Sequence, residues 1–263
     1  MKLAINGSAG RMGRLLGKLA DEFGFEIVAA CEHKDSQHIN ADFGELLTGK
    51  KSGVQISDKI DTAPDVIIDF SLPEALPSIV EQALQKKCAL ITGTTGLTNE
   101  HFDLLKKASE KIPVMHSANF SIGIAVLKSL VEQAAQVLYP LNFDIEILEA
   151  HHNKKLDAPS GTALMLGKAA AQGAKLEFEQ AAKLSREGKQ AQRKRAEIGF
   201  AAVRAGTIVG EHTVLFAGNE EIVEIKHRAL NREIFARGAL SVARWLVGKP
   251  AALYTIDNFI EGK

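Results

Sequence analysis

A chain of 263 residues, 46% apolar and 24% charged, holds enough hydrophobic material for one or two cored domains, which excludes a disordered or fibrous protein. Its 32 basic and 32 acidic residues cancel, so no global field draws it to nucleic acid or an anionic membrane, and an anionic ligand must be met by a local cluster. Cys31 and Cys88 lack C-x-x-C or metal spacing, which argues against a disulfide framework and a zinc site and fits a reducing compartment; Cys31 lies in a predicted strand and Cys88 before another, with no general base beside either, which argues against a thiol nucleophile. With no charged-then-apolar leader and no apolar run near the ~18 residues a bilayer span requires, the expected location is the cytoplasm.

Residues 2–6 read as a short buried strand, followed by a glycine run and a helix over 14–23. Apolar runs at 25–31, 66–70, 89–92 and 114–116 then alternate with helical stretches at 74–86 and 99–110. This β-α repeat predicts a Rossmann-like, doubly wound parallel sheet over residues 1–121. After Asn119 the pattern changes. A long helix over 123–139 precedes a strand, 143–150, in which Phe143, Ile145 and Ile147 alternate with Asp144, Glu146 and Glu149 as on a half-solvated sheet. Strand candidates at 198–204, 207–216 and 221–227 are separated by Ala205-Gly206 and Gly218-Asn219, hairpin signals for a mixed or antiparallel sheet. The expectation is a second, α+β domain over 122–231 for substrate and oligomerisation, with 232–263, helical at 235–247, returning to the first.

Gly7, Ser8, Ala9, Gly10, Arg11, Met12 and Gly13 lie between a strand and a helix, where absent side chains let backbone amides approach a pyrophosphate. Glu32, 19 residues after Gly13, stands where an acidic side chain accepts from ribose hydroxyls, and His33 with Lys34 read as solvated loop residues or as partners of a 2′-phosphate; together they suggest NADH, NADPH or both. Gly93, Thr94, Thr95 and Gly96 close the fourth strand, either as a wall for a flat ring or as a turn chosen for its glycines. Ser117, Ala118, Asn119 and Phe120 stand in the same relation to the fifth strand, a second wall for a nicotinamide.

The densest polar cluster is EAHHNKKLDAPSGTA, residues 149–163. Ser160 is a natural N-cap, which leaves the amides of Gly161 and Thr162 as an anion site. His151 and His152 with Lys154 and Lys155 supply a proton donor and cations beside it. Adjacent histidines project differently and no third ligand is well spaced, so no metal is expected. Lys183, Arg186, Lys189, Arg193, Lys194 and Arg195 carry no interleaved aromatic and read as a solvated loop, or one folded over an anion or a neighbouring subunit.

The chain resembles the dihydrodipicolinate reductase family through GSAGRMG at 7–13, GTTG at 93–96, SANFSIG at 117–123, EAHHNKKLDAPSGTA at 149–163 and RAGTIVGEHTVLF at 204–216, in the family's order along the whole chain. The resemblance implies reduction of 4-hydroxy-tetrahydrodipicolinate, or of the dihydrodipicolinate formed from it by loss of water, with hydride from NAD(P)H in lysine and diaminopimelate synthesis. It puts His151 in the acid/base position, Lys155 in the proton-donor position, and His152, Lys155, Ser160, Gly161 and Thr162 in the dicarboxylate site. It also implies a homotetramer joined through the second domain's sheet. Two positions depart from the family: His33 stands where Arg is common, and the stretch 189–197 is more basic and poorer in glycine.

Overall fold

The structure, a computed structural model, describes residues 1–189 and 191–262. They fold as two compact units, one of residues 1–122 with the chain from Glu233 onward, the other of residues 123–232. The first holds β1 (Lys2–Asn6), α1 (Arg11–Leu19), β2 (Glu26–Cys31), α2 (Phe43–Thr48), β3 (Ile56–Ser57), β4 (Val66–Asp69), α3 (Leu76–Lys86), β5 (Ala89–Thr92), α4 (Asn99–Ser109) and β6 (Pro113–His116). Helix α5 (Ile122–Leu138) leads into β7 (Asp144–His151), α6 (Gly161–Ala174), α7 (Phe178–Ala181), β8 (Ala182–Lys183), β9 (Ile198–Arg204), β10 (Glu211–Ala217) and β11 (Ile222–Arg228). The chain then adds α8 (Glu233–Leu246), β12 (Ala252–Tyr254) and α9 (Ile256–Ile260) to the first unit.

The first sheet has the order β12-β6-β5-β4-β1-β2-β3, with every pairing parallel. The chain steps from β1 to β2 and β3, then restarts at β4 on the other side of β1, so the carboxyl ends of β1 and β4 flank the switch point where open sheets take ligands. Successive residues of the central strands serve opposite helical layers. Leu3, Ile5, Val66, Ile68 and Ile91 pack with Leu16, Leu240 and Val242, whereas Ala4, Ile67 and Leu90 pack with Leu76, Ile79, Val80 and Leu105. This two-sided burial is why the strands read as unbroken apolar runs. Each fully buried Leu or Ile contributes ~2 kcal/mol relative to exposure.

Some elements lie outside the sequence expectation. Helix α1 begins at Arg11, three residues before the predicted start, because Gly10 is its N-cap and Gly13 already belongs to the helix. The two or three residues of β3, β8 and β12 are too few to show a period, and α2, α7 and α9 have at most six residues each.

The second sheet is mixed, in the order β11-β10-β7-β9-β8. Ala205-Gly206 is not a hairpin: β7 lies between β9 and β10, parallel to one and antiparallel to the other. The 205–210 segment instead crosses the end of β7, where the Ala205 amide donates to the His151 carbonyl at 2.9 Å. Gly218-Asn219 does close a hairpin, between β10 and β11. Ile145, Ile147, Val214, Phe216, Ile198 and Phe200 on one face pack with Leu127, Val131, Leu166 and Ala170 of α5 and α6. Leu148, Val203 and Ile222 are exposed large apolar residues of the same sheet.

Candidate active site

At the end of β1 the chain turns through Gly7 in the left-handed region, φ +74°, where a side chain would also meet the Phe70 carbonyl. The amides of Gly7 and Ser8 both donate to the Cys31 carbonyl, at 2.9 and 3.0 Å, which ties the loop to β2. A Cβ on Gly13 would stand 2.2 Å from the Gly7 carbonyl oxygen, so the first turn of α1 rests directly on this loop. Gly10 gives that turn no side-chain cap, and its first amides keep their capacity for an anion. Ser8 is fully buried, and its hydroxyl has no partner among the described residues.

Glu32 is already part of the glycine loop, since its Oε1 accepts from the Ala9 amide at 2.6 Å. Arg11 is exposed, while Met12 packs against the core. His33 is exposed and engages Asp35 beside it: its Nδ1 lies 3.3 Å from the Asp35 amide and 3.4 Å from the carboxylate.

A group absent from the sequence reading organises the next strand ends. Asp69, the last residue of β4, is fully buried and accepts from Asn6 Nδ2 (2.7 Å), Ser71 Oγ (2.5 Å), Thr92 Oγ1 (2.7 Å) and Thr94 Oγ1 (2.8 Å). One carboxylate therefore pins the ends of β1, β4 and β5. Of the GTTG run, Thr94 is buried and turns its hydroxyl inward to Asp69, whereas Thr95 is exposed. Gly93 has no room for a side chain because the Phe70 ring lies against it, and Phe70 in turn meets Phe120 edge to face at 5.7 Å. In the neighbouring loop, Ser117 donates to the Asn119 carbonyl at 2.7 Å and Ala118 is exposed.

In the second unit, Glu149 is not on the solvated face. It is in phase with Ile145 and Ile147, and the two-residue period of a strand carries it to the buried side with a side chain 1% exposed. Its Oε2 lies 2.5 Å from His151 Nδ1 and accepts from Arg204 Nη1 at 2.8 Å. Its Oε1 accepts from Arg204 Nη2 at 2.7 Å and from the Ser160 amide at 3.0 Å. Register explains the assembly: parallel pairing sets Arg204 beside His151, and antiparallel pairing sets His212 beside Glu149. Burial alone would raise the Glu149 carboxyl, but Arg204, His151 and the Ser160 amide hold it below the usual carboxylate range.

His151 is lowered, first by burial and also by Lys155 and Arg204, against the opposing pull of Glu149. Its ring meets His212 edge to face at 5.1 Å, and a Cβ on Gly210 would stand 3.1 Å from its Nε2. His212 is pushed down to about 4, mainly by burial, and its Nε2 lies 3.1 Å from Ser160 Oγ. That hydroxyl caps α6 by accepting from the Ala163 amide at 3.1 Å. A side chain at Gly161 would meet nothing, while its amide is turned to the Asp157 carboxylate. Lys155 Nζ donates to Asp157 at 2.7 Å, which holds the Asp157 carboxyl below its usual range, so an incoming anion competes with Asp157 for this ammonium. His152 is half-buried, with no partner for its Nδ1 among the described residues.

Glu149, Arg204 and His212 were not singled out from sequence, although a carboxylate in phase with buried Ile145 and Ile147 was a readable signal for the first. The basic stretch is only partly a solvated loop. Arg186 grips Glu146 with two bonds of 2.8 Å, Arg193 bonds Glu146 and Asp144, and Arg195 bonds Asn142. The acidic residues on the other face of β7 attract these guanidiniums, while Lys183, Lys189 and Lys194 stay exposed. Both cysteines are buried, and desolvation pushes their thiols up to about 12, which rules out a thiolate nucleophile near neutral pH.

Residues 1–120 match the family profile of the N-terminus of dihydrodipicolinate reductase, and residues 123–260 match that of its C-terminus. The 4-hydroxy-tetrahydrodipicolinate reductase of Alkalilimnicola ehrlichii is 43% identical over 98% of both chains. That of Caldanaerobacter subterraneus is 44% identical over 99% of this chain and 98% of its own. A solved structure of a dipicolinate-bound dihydrodipicolinate reductase from Paenisporosarcina sp. TG-14 shares the fold, with a TM-score of 0.73 at 23% identity over 97% of each chain.

Proposed function

The chain belongs to the dihydrodipicolinate reductase family, and we propose that it reduces 4-hydroxy-tetrahydrodipicolinate, by way of dihydrodipicolinate, to tetrahydrodipicolinate with hydride from NADH or NADPH. The observation that carries this reading is the half-buried His151, bonded to Glu149, beside the capped start of α6 and the Lys155 ammonium. A proton donor and two separate seats for carboxylates suit a ring dicarboxylate acquiring a hydride.

The first unit is assigned to the dinucleotide. Gly7 to Gly13 and the open start of α1 fit a pyrophosphate, with Ser8's hydroxyl, unpartnered among the described residues, in the same loop. Glu32 and His33 stand at the adenosine ribose, and Gly93 to Thr95 with Ser117 to Phe120 border the ring. Once bound there, the reduced nicotinamide supplies the hydride. The rest is done by this chain's own residues: Gly161 and Thr162, on the turn that Ser160 caps, hold one carboxylate, His152 and Lys155 the other, and His151 or Lys155 gives the proton that the electron-rich ring carbon requires. Fixed dipoles at the helix start orient the substrate without reorganising during reaction. Leu148, Val203 and Ile222 on the mixed sheet suit burial between copies, in keeping with assembly through this sheet, here read as a homotetramer.

The test is to follow NADPH and NADH oxidation with substrate generated in place by the preceding synthase, for the wild type and His151→Gln. Turnover in the wild type with a loss of about 10²–10⁴-fold in the variant is expected. No turnover with either nucleotide would remove the proposal.

A further inference from the structure

We propose that Glu149, locked by Arg204, is the positioning residue for proton transfer: it accepts the Nδ1 proton of His151 and so leaves Nε2 as the one nitrogen that exchanges a proton with substrate. This rests on the acid/base reading of His151 given above.

Geometry carries it. An ionised carboxylate can only accept, so the 2.5 Å contact assigns the proton to Nδ1. Glu149 cannot swing away, because the two Arg204 nitrogens and the Ser160 amide occupy its oxygens from β9 and from the cap of α6. Arg204 is itself held, donating to the Asp157 carbonyl at 2.6 Å and to the Val203 carbonyl at 2.8 Å. On the other side of the ring, Gly210 from the crossing segment is the residue without a side chain that leaves Nε2 uncovered. The charged and titratable groups facing His151 are Glu149 on its own strand, Lys155 in the following loop, Arg204 on β9 and His212 on β10. His212 is neutral near pH 7, so it adds no competing imidazolium.

In the step itself, the Nε2–H bond of the imidazolium breaks and a C–H bond forms at the electron-rich substrate carbon. The N–H electron pair stays on Nε2, Nδ1 keeps its proton in the hydrogen bond to Glu149, and solvent restores the Nε2 proton. Glu149 changes neither protonation nor place.

Glu149→Gln keeps the side chain's size but turns an N–H toward Nδ1, which favours the inverted tautomer and opposes the imidazolium. The expected result is a fall in kcat of about 10²–10³-fold, with KM for substrate and nucleotide within about twofold. The alkaline limb of the kcat profile, where the imidazolium loses its proton, moves to lower pH. Arg204→Gln removes a repelling cation and moves that limb the other way, a split that loss of packing alone does not produce.

Nitrogen-15 NMR of histidine-labelled wild-type enzyme reads the tautomer without any variant: a neutral His151 protonated at Nδ1 supports the proposal, and one protonated at Nε2 overturns it. His151→Gln in the same assay separates the two readings. If that variant keeps full turnover, the acid role itself fails. If it is crippled while Glu149→Gln retains wild-type kcat and alkaline limb, only the positioning role fails.

Discussion

Asp69 and Glu149 are both buried carboxylates on strands of a sheet core, and they are satisfied in opposite ways. Asp69 accepts only from neutral hydroxyls and amides, drawn from the ends of three parallel strands. Glu149 is met by Arg204 and His151 together with one backbone amide. Neutral donors converge on a fixed anion and are fixed by it in turn, so Asp69 acts on shape. A cation and an imidazole share Glu149, so this carboxylate acts on a proton. A buried carboxylate therefore declares its role by its donors more than by its depth.

Removing the shape-keeping carboxylate should give the largest stability change. Asp69→Ala strands three hydroxyls and an amide in a closed space, with an expected loss of about 3–5 kcal/mol in urea unfolding. A loss under ~1 kcal/mol would show that water replaces it and would break the contrast with Glu149.

Acid should strike the second unit through His212, which is 4% exposed. Its folded pKa of about 4 lies below the ordinary 6.5. The unfolded chain thus binds a proton that the native site refuses. Stability is full above pH 6.5 and falls by about 3 kcal/mol as pH drops toward 4. From about pH 4.5 downward the depressed Glu149 carboxyl contributes a further loss, completed as pH falls through its lowered folded value. His212→Phe should flatten the slope of Tm against pH between 6.5 and 4; an unchanged slope would assign the acid sensitivity elsewhere.

A single donor to Asp69 is a finer probe. Thr92→Val deletes one 2.7 Å bond at nearly constant volume, with an expected cost of about 1.5–2 kcal/mol and no change in the pH profile of turnover. A shifted profile would mean that the two carboxylates are coupled. The smallest effect is expected at the surface: His33→Ala should weaken NADPH by less than about tenfold and leave NADH unchanged, read by fluorescence titration. Equal changes for both nucleotides would remove His33 from the 2′-phosphate.

Much of the first unit was legible because its signals are local. Strands 2–6, 89–92 and 114–116 announce themselves as apolar runs, and a glycine triplet between strand and helix requires only adjacency in the chain. His151, Lys155 and Ser160 were legible for the same reason, lying within ten residues of one another. Asn6, Asp69, Ser71 and Thr92 were not, because they meet only where β1, β4 and β5 end together. The crossing segment at 205–210 looked like a hairpin because Ala205-Gly206 is a good turn pair, and nothing local says that β7 takes the place beside β9.

By itself the sequence determined the alternation of strand and helix, the tight glycine loop, the N-cap at Ser160 and the residue types gathered at 149–163. These follow from steric limits and hydrogen-bonding capacity within a few residues. Only the tertiary structure decided which partner each polar group takes. Pairing β7 with β9 on one side and β10 on the other brings Arg204 and His212 from more than fifty residues away to His151 and Glu149, and register across a sheet is set by the whole core rather than by any one strand.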